Sequence, residues 1–117
     1  MGRYSRNKGA RAERSLANLL KEYGYDTHRG GAMHTPGSES PDVMGLPYIH
    51  IECKNVEHLN VRNALDQSIR DAKEDEIPVV MHKKNYCPWL VTLRLEDFME
   101  IYREWEAGRW LTKREKQ

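Results

Sequence analysis

Seven residues, Tyr48-Ile49-His50-Ile51-Glu52-Cys53-Lys54, alternate in a way that fits a β-strand. A strand sends successive side chains to opposite faces. Ile49, Ile51 and Cys53 then share one face, and Tyr48, His50, Glu52 and Lys54 the other. Just upstream, Pro41-Asp42 precedes a short apolar pair, Val43-Met44, and a Gly45/Pro47 turn. A hairpin turning there brings Asp42 back beside Glu52. Two carboxylates and an amine are thereby gathered within thirteen residues.

Hard divalent cations such as Mg²⁺ take oxygen ligands, usually one or two carboxylates with waters and substrate phosphate. Asp42 and Glu52 can supply the carboxylates and the Cys53 backbone carbonyl a third oxygen. A cation in that position acidifies water. Lys54 can then orient or deprotonate the water, or stabilise charge on a phosphate. The competing reading is a surface ion pair on an exposed sheet face. The position of Asp42 after Pro41 and the apolar opposite face weigh against it.

The rest of the chain supplies a frame for this hairpin. Ala12, Leu16, Leu19, Leu20 and Tyr23 recur at helical spacing and predict a helix over Lys8–Tyr23, closed by Gly24 in the left-handed conformation. Glu13 lies at the edge of that apolar face. There it either pairs with a cation, such as Arg11 or Arg14, or points at a metal site, since an unpaired carboxylate would be costly. Tyr25–Arg29 reads as a strand, and 30–40 as a loop rich in Gly, Ser, Thr and Pro, in which Ser38, Ser40 and the preceding Arg29 could meet phosphate. A second helix over Asn60–Lys73 carries Val61, Leu65, Ile69 and Ala72. Ile77–Met81 is apolar enough for a central strand covered on both faces, and Trp89–Leu93 is another strand. Phe98, Ile101, Tyr102 and Trp105 mark a last helix ending near Gly108. Such a stripe is normally core, or else it covers an interface.

Composition narrows the function classes. The 117 residues suit one domain, over about 8–108, with basic flexible tails at 1–7 and 109–117. No apolar run approaches the ~18 residues of a membrane span, and no signal-peptide pattern is present. This reads as a cytoplasmic protein. Cys53 and Cys87 lack zinc spacing. Of the five histidines, His34 and His50 could lie near the site. The net charge of +1 does not announce a nucleic-acid binder, but its distribution is uneven. Arg3, Arg6, Lys8, Arg11 and Arg14 crowd the N-terminus against Glu13 alone, and a basic arm of this kind can hold phosphates.

Pro41-Asp42, nine residues, then Glu52-Cys53-Lys54 resembles the PD-(D/E)xK nuclease signature. The Lys8–Leu16 helix start, Tyr23-Gly24-Tyr25, and Arg29 before a Gly/Ser loop are similar to archaeal-type Holliday junction resolvases and their phage and bacterial relatives, over roughly residues 8 to 93. The resemblance implies a restriction-endonuclease-like α/β sandwich with a mixed central sheet flanked by helices. It implies a prokaryotic or phage-encoded, Mg²⁺-dependent DNA endonuclease, with Mn²⁺ as substitute, acting as a homodimer on branched DNA. Glu13, Asp42, Glu52 and Lys54 would be its catalytic residues, with Glu13 near the metal, through water. Arg6, Lys8, Arg11, Arg29 and a loop serine would contact DNA. The resemblance adds Gln67, which otherwise reads as a solvated helix glutamine. Two alternatives stand: a non-specific, nicking or small restriction-type nuclease, and an inactive DNA-binding accessory protein.

Overall fold

The computed structural model describes residues 3–30 and 40–115, with side chains from Asn7 to Gly30 and from Ser40 to Arg114. Three helices and five strands follow one another: α1 (Arg3–Glu22), β1 (His28–Arg29), β2 (Val43–Met44), β3 (Ile49–Asn55), α2 (Val61–Asp71), β4 (Ile77–Lys83), β5 (Leu90–Thr92) and α3 (Leu95–Glu115). The strands form one mixed sheet in the order β1-β2-β3-β4-β5. β1, β2 and β3 pair antiparallel, β3 and β4 parallel, and β4 and β5 antiparallel. The parallel pair needs a crossover, and α2 supplies it.

The alternation in β3 sorts the two layers. Ile51 and Cys53 join Val43, Val79 and Met81 in a core closed by Ala12, Leu16 and Ala17 of α1. The Thr27 hydroxyl donates to the Ala17 carbonyl at 2.6 Å, fixing the entry into β1 against α1. The opposite face is also covered. His50 and Glu52 are buried there, and Ala64 and Ser68 are the buried residues of α2. The Ser68 hydroxyl lies 3.2 Å from the His50 carbonyl and 3.0 Å from that of Val79, so α2 is pinned to the backbone of both central strands. β3 is therefore a two-sided buried strand.

The turn between β2 and β3 depends on Gly45, whose φ of 103° lies in the left-handed region. A Cβ there would also collide with the Asp26 carbonyl, so only glycine fits. Gly24 closes α1 at φ 99°, as its position predicts.

Several elements depart from the sequence expectation. α1 begins at Arg3, before Lys8, because extending a formed helix costs far less than starting one. Tyr23 is exposed and lies past the helix end rather than in the core. The first strand shrinks to His28–Arg29. The buried side of α2 runs through Ala64 and Ser68, with Val61, Leu65 and Ile69 flanking it half-buried, because small residues let the helix approach the sheet. α3 does not stop at Gly108 but continues to Glu115; a glycine inside a helix costs only ~1 kcal/mol relative to alanine.

The largest departure is the α3 stripe. Phe98, Ile101, Tyr102 and Trp105 are exposed, and Asp97 is the one buried residue among the described side chains of α3. Arg94 Nε donates to Asp97 at 2.8 Å, which anchors the start of the helix and raises the arginine's pKa. The molecule measures 59 × 27 × 27 Å, elongated as a ~31 Å helix leaving the sheet body would make it. Among the described residues, no helix is long and apolar enough to cross a membrane.

Candidate active site

The hairpin joins the two carboxylates as its spacing predicts. The Asp42 N–H donates to the Ile51 carbonyl at 2.9 Å, and Val43 lies opposite Ile51. The Cys53 N–H then donates to Asp42 Oδ2 at 2.8 Å. Asp42 is thus held by the strand that carries Glu52. The two carboxylates lie close enough for Asp42 to act on Glu52 electrostatically. Burial, reinforced by Asp42 and opposed by Lys54, pushes the Glu52 carboxyl up to about 7. Lys54 Nζ stands 3.7 Å from Glu52 Oε1, with a side chain about one third exposed.

This arrangement fits a hard divalent cation. Two crowded carboxylates repel when both are ionised, and either a proton or a cation relieves them. The exposed-ion-pair reading fails, because Glu52 is buried at 6% exposure. Cys53 contributes through its N–H, a role its spacing did not suggest. Its thiol is pushed far up by burial, then by Asp42, Glu13 and Glu52, and so is unsuited to nucleophilic work.

Glu13 sits on α1, half-buried, and accepts a 2.6 Å hydrogen bond from Arg29 Nε. A cation it meets is Arg29, sixteen residues on. Its charge also reaches Cys53. The Gly30 N–H donates to the Asp42 carbonyl, so the strand carrying Arg29 is tied to the one led by Asp42. Arg29, Glu13, Asp42, Glu52 and Lys54 thus form one connected neighbourhood.

The DNA-binding candidates divide. Lys8 and Arg11 line a hollow with Ser15, Asn55, Lys83 and Trp89. Asn55 pairs with Lys83 across β3 and β4, one residue beyond Lys54. The hollow therefore begins where the carboxylate-bearing strand ends. Lys83 and Asn55 were not singled out from sequence, since only the parallel register puts them beside the α1 cations. Ser40 is exposed directly before Pro41-Asp42. Ser38 and His34 lie outside the described residues, as does the side chain of Arg6. Gln67 is exposed on α2, and no hydrogen bond described ties it to the carboxylates.

A solved structure similar to this chain is that of the Archaeoglobus fulgidus Hjc, a Holliday junction resolvase from an archaeal hyperthermophile. The TM-score is 0.56 at 24% identity, over 74% of this chain and 72% of that one. The mixed five-stranded sheet with its three helices is thus an Hjc-like fold. No curated protein matches the sequence. A family model described as "Phage putative PDDEXK endonuclease" matches residues 4–114, which contain every element above except the first residue of α1 and the last of α3. The chain belongs to that family of phage PDDEXK endonucleases.

Proposed function

We propose that this chain is a Mg²⁺-dependent DNA endonuclease that hydrolyses phosphodiester bonds, with Mn²⁺ able to substitute. The observation that carries this reading is the Asp42–Glu52 pair, with Asp42 held by the Cys53 N–H and Lys54 standing 3.7 Å from Glu52. Asp42, Glu52 and the Cys53 carbonyl hold the cation, which supplies charge neutralisation and a more acidic water. Lys54 holds its charge beside the scissile phosphate or orients the attacking water. Glu13 acts at the edge of this group, through water. Arg29 gives its Nε to Glu13 and keeps other guanidinium donors for a phosphate. Lys8 and Arg11, with Lys83 in the adjoining hollow, carry the DNA backbone away from the site. Arg6 and a serine at 38 or 40 extend these contacts.

The finer part of the reading is a homodimer selective for branched DNA. Two symmetric copies supply two matching sites for paired incisions. The exposed face of α3 supports such an assembly: Phe98, Ile101, Tyr102 and Trp105 present an unpartnered aromatic stripe. The charges along α3 are unevenly spread. Glu96, Asp97, Glu100 and Glu104 lie in its first half against Arg103 alone, and Arg109, Lys113 and Arg114 in its second, with Glu106 and Glu115. Two copies packed antiparallel about Trp105 bring each acidic half against the partner's basic half. The test is a panel of linear, nicked, flap and four-way DNA in Mg²⁺ and in Ca²⁺, with light scattering in parallel. The reading expects a dimer of twice 13.7 kDa and Mg²⁺-dependent paired cuts in the junction. A monomer that cuts linear and junction DNA equally would remove the branched-DNA assignment.

A further inference from the structure

His50 is not used by the chemistry above, and it is nearly inaccessible at 1% exposure. Neither of its ring nitrogens has a hydrogen-bond partner among the described residues. A buried polar atom left unmatched is costly, so such a group calls for an explanation. His50 and Glu52 point to the same face of β3, towards α2, where Asp71 ends the helix. One ligand atom each from His50, Glu52 and Asp71 lie within 4.8 Å of one another. Glu76 Oε1 stands 3.5 Å from His50 Nδ1, too far for a good hydrogen bond but on the correct side to orient the ring.

We propose that His50, Glu52 and Asp71 form a second divalent-cation site, behind the Asp42–Glu52 pair and sharing Glu52 with it. One imidazole nitrogen with two carboxylates suits Mn²⁺, Co²⁺ or Zn²⁺ better than Mg²⁺, which prefers oxygen alone. With the metal bound, Nδ1–H would donate to Glu76 and leave the Nε2 lone pair for the metal, the usual carboxylate–histidine arrangement. Glu52 has two oxygens and can serve both cations. The scaffold is rigid, since the Ser68 hydroxyl clamps α2 onto the His50 and Val79 carbonyls. The site needs only these side chains, so it stands or falls separately from the nuclease reading.

Two readouts on the full chain, both independent of cleavage, test it. In the first, Co²⁺ is titrated into protein held in excess Mg²⁺ and followed by visible absorption and calorimetry. His50→Leu and Asp71→Asn should each weaken Co²⁺ binding at least tenfold, whereas Asp42→Asn should leave most of it. Asp71 is half-buried at the end of α2, so its variant is informative even where His50→Leu fails to fold. In the second, Zn²⁺ is added to ¹⁵N-labelled protein, and one His50 ring nitrogen should shift strongly. Unchanged Co²⁺ affinity in Asp71→Asn overturns the proposal. So does a His50 ring whose two nitrogen signals do not move on addition of Zn²⁺.

Discussion

β3 and α3 both carry strong apolar patterns, and they end in opposite surroundings. Along β3, four consecutive residues from His50 to Cys53 are buried, with α1 over one face and α2 over the other. Along α3, large apolar side chains stand in the open, from Leu95 to Leu111. Periodicity reports which residues share a face. It does not report what covers the face. β3 finds its cover within the chain because the β3–α2–β4 crossover folds a helix back over it. α3 follows β5, and of its described side chains only that of Asp97 is buried.

Stability should expose this difference most directly. Leu16 is 2% exposed, and Leu16→Ala should cost about 2–5 kcal/mol in denaturant unfolding. Trp105→Ala should change the unfolding of the sheet body by less than ~0.5 kcal/mol while lowering the dimer fraction in light scattering. An equal loss of stability in the two variants would mean that α3 is core in solution.

Lys54→Ala should lower the cleavage rate ~10²-fold in single-turnover assays, at nearly unchanged DNA affinity. No comparable rate effect should follow from Arg109→Ala on α3, whose guanidinium lies 5.3 Å from the Trp105 ring centroid.

The pH dependence sharpens the contrast further. In cation-free protein Glu52 is raised from the ordinary 4.5 to about 7, mainly by burial and then by Asp42. The folded state therefore holds a proton that the unfolded chain releases earlier. The stability from this group is full below pH 4.5 and is lost as pH rises through about 7. Relative to wild type, Glu52→Gln should gain on the order of 2–3 kcal/mol between those limits. Parallel stability curves for the two proteins would deny that burial perturbs Glu52. Mg²⁺ should bind more weakly below about pH 7, where it competes with that proton.

The smallest effect belongs to the hollow beside β3. Lys8→Ala and Arg11→Ala should each flatten the log–log salt dependence of duplex binding by ~0.9. An unchanged slope would leave these residues as solvated helix charges.

Much of the site was legible because its geometry is local. Pro41-Asp42, a Gly45 turn and the alternation to Lys54 suffice to set Asp42 beside Glu52. Gly24 as a helix stop needs only its own backbone preference. What escaped depends on contacts between distant segments. Glu13 meets Arg29 only once β1 lies along α1. Lys83 joins Lys8 and Arg11 only through the parallel β3–β4 register. His50 is recognisable as a buried imidazole without a hydrogen-bond partner among the described residues only after α2 closes over it. The stripe of α2 was displaced because Ala64 and Ser68, being small, come nearest the sheet and carry little weight in an apolar pattern.

Phosphodiester hydrolysis should depend on a cation held by the Asp42–Glu52 pair. The direct measurement is plasmid cleavage in Mg²⁺ by Asp42→Asn beside its DNA affinity in Ca²⁺. The variant keeps an acceptor for the Cys53 N–H but loses the charge. Cleavage should fall by orders of magnitude while affinity stays close to wild type, since phosphate contacts come mainly from basic residues. Full cleavage by Asp42→Asn would contradict the assignment.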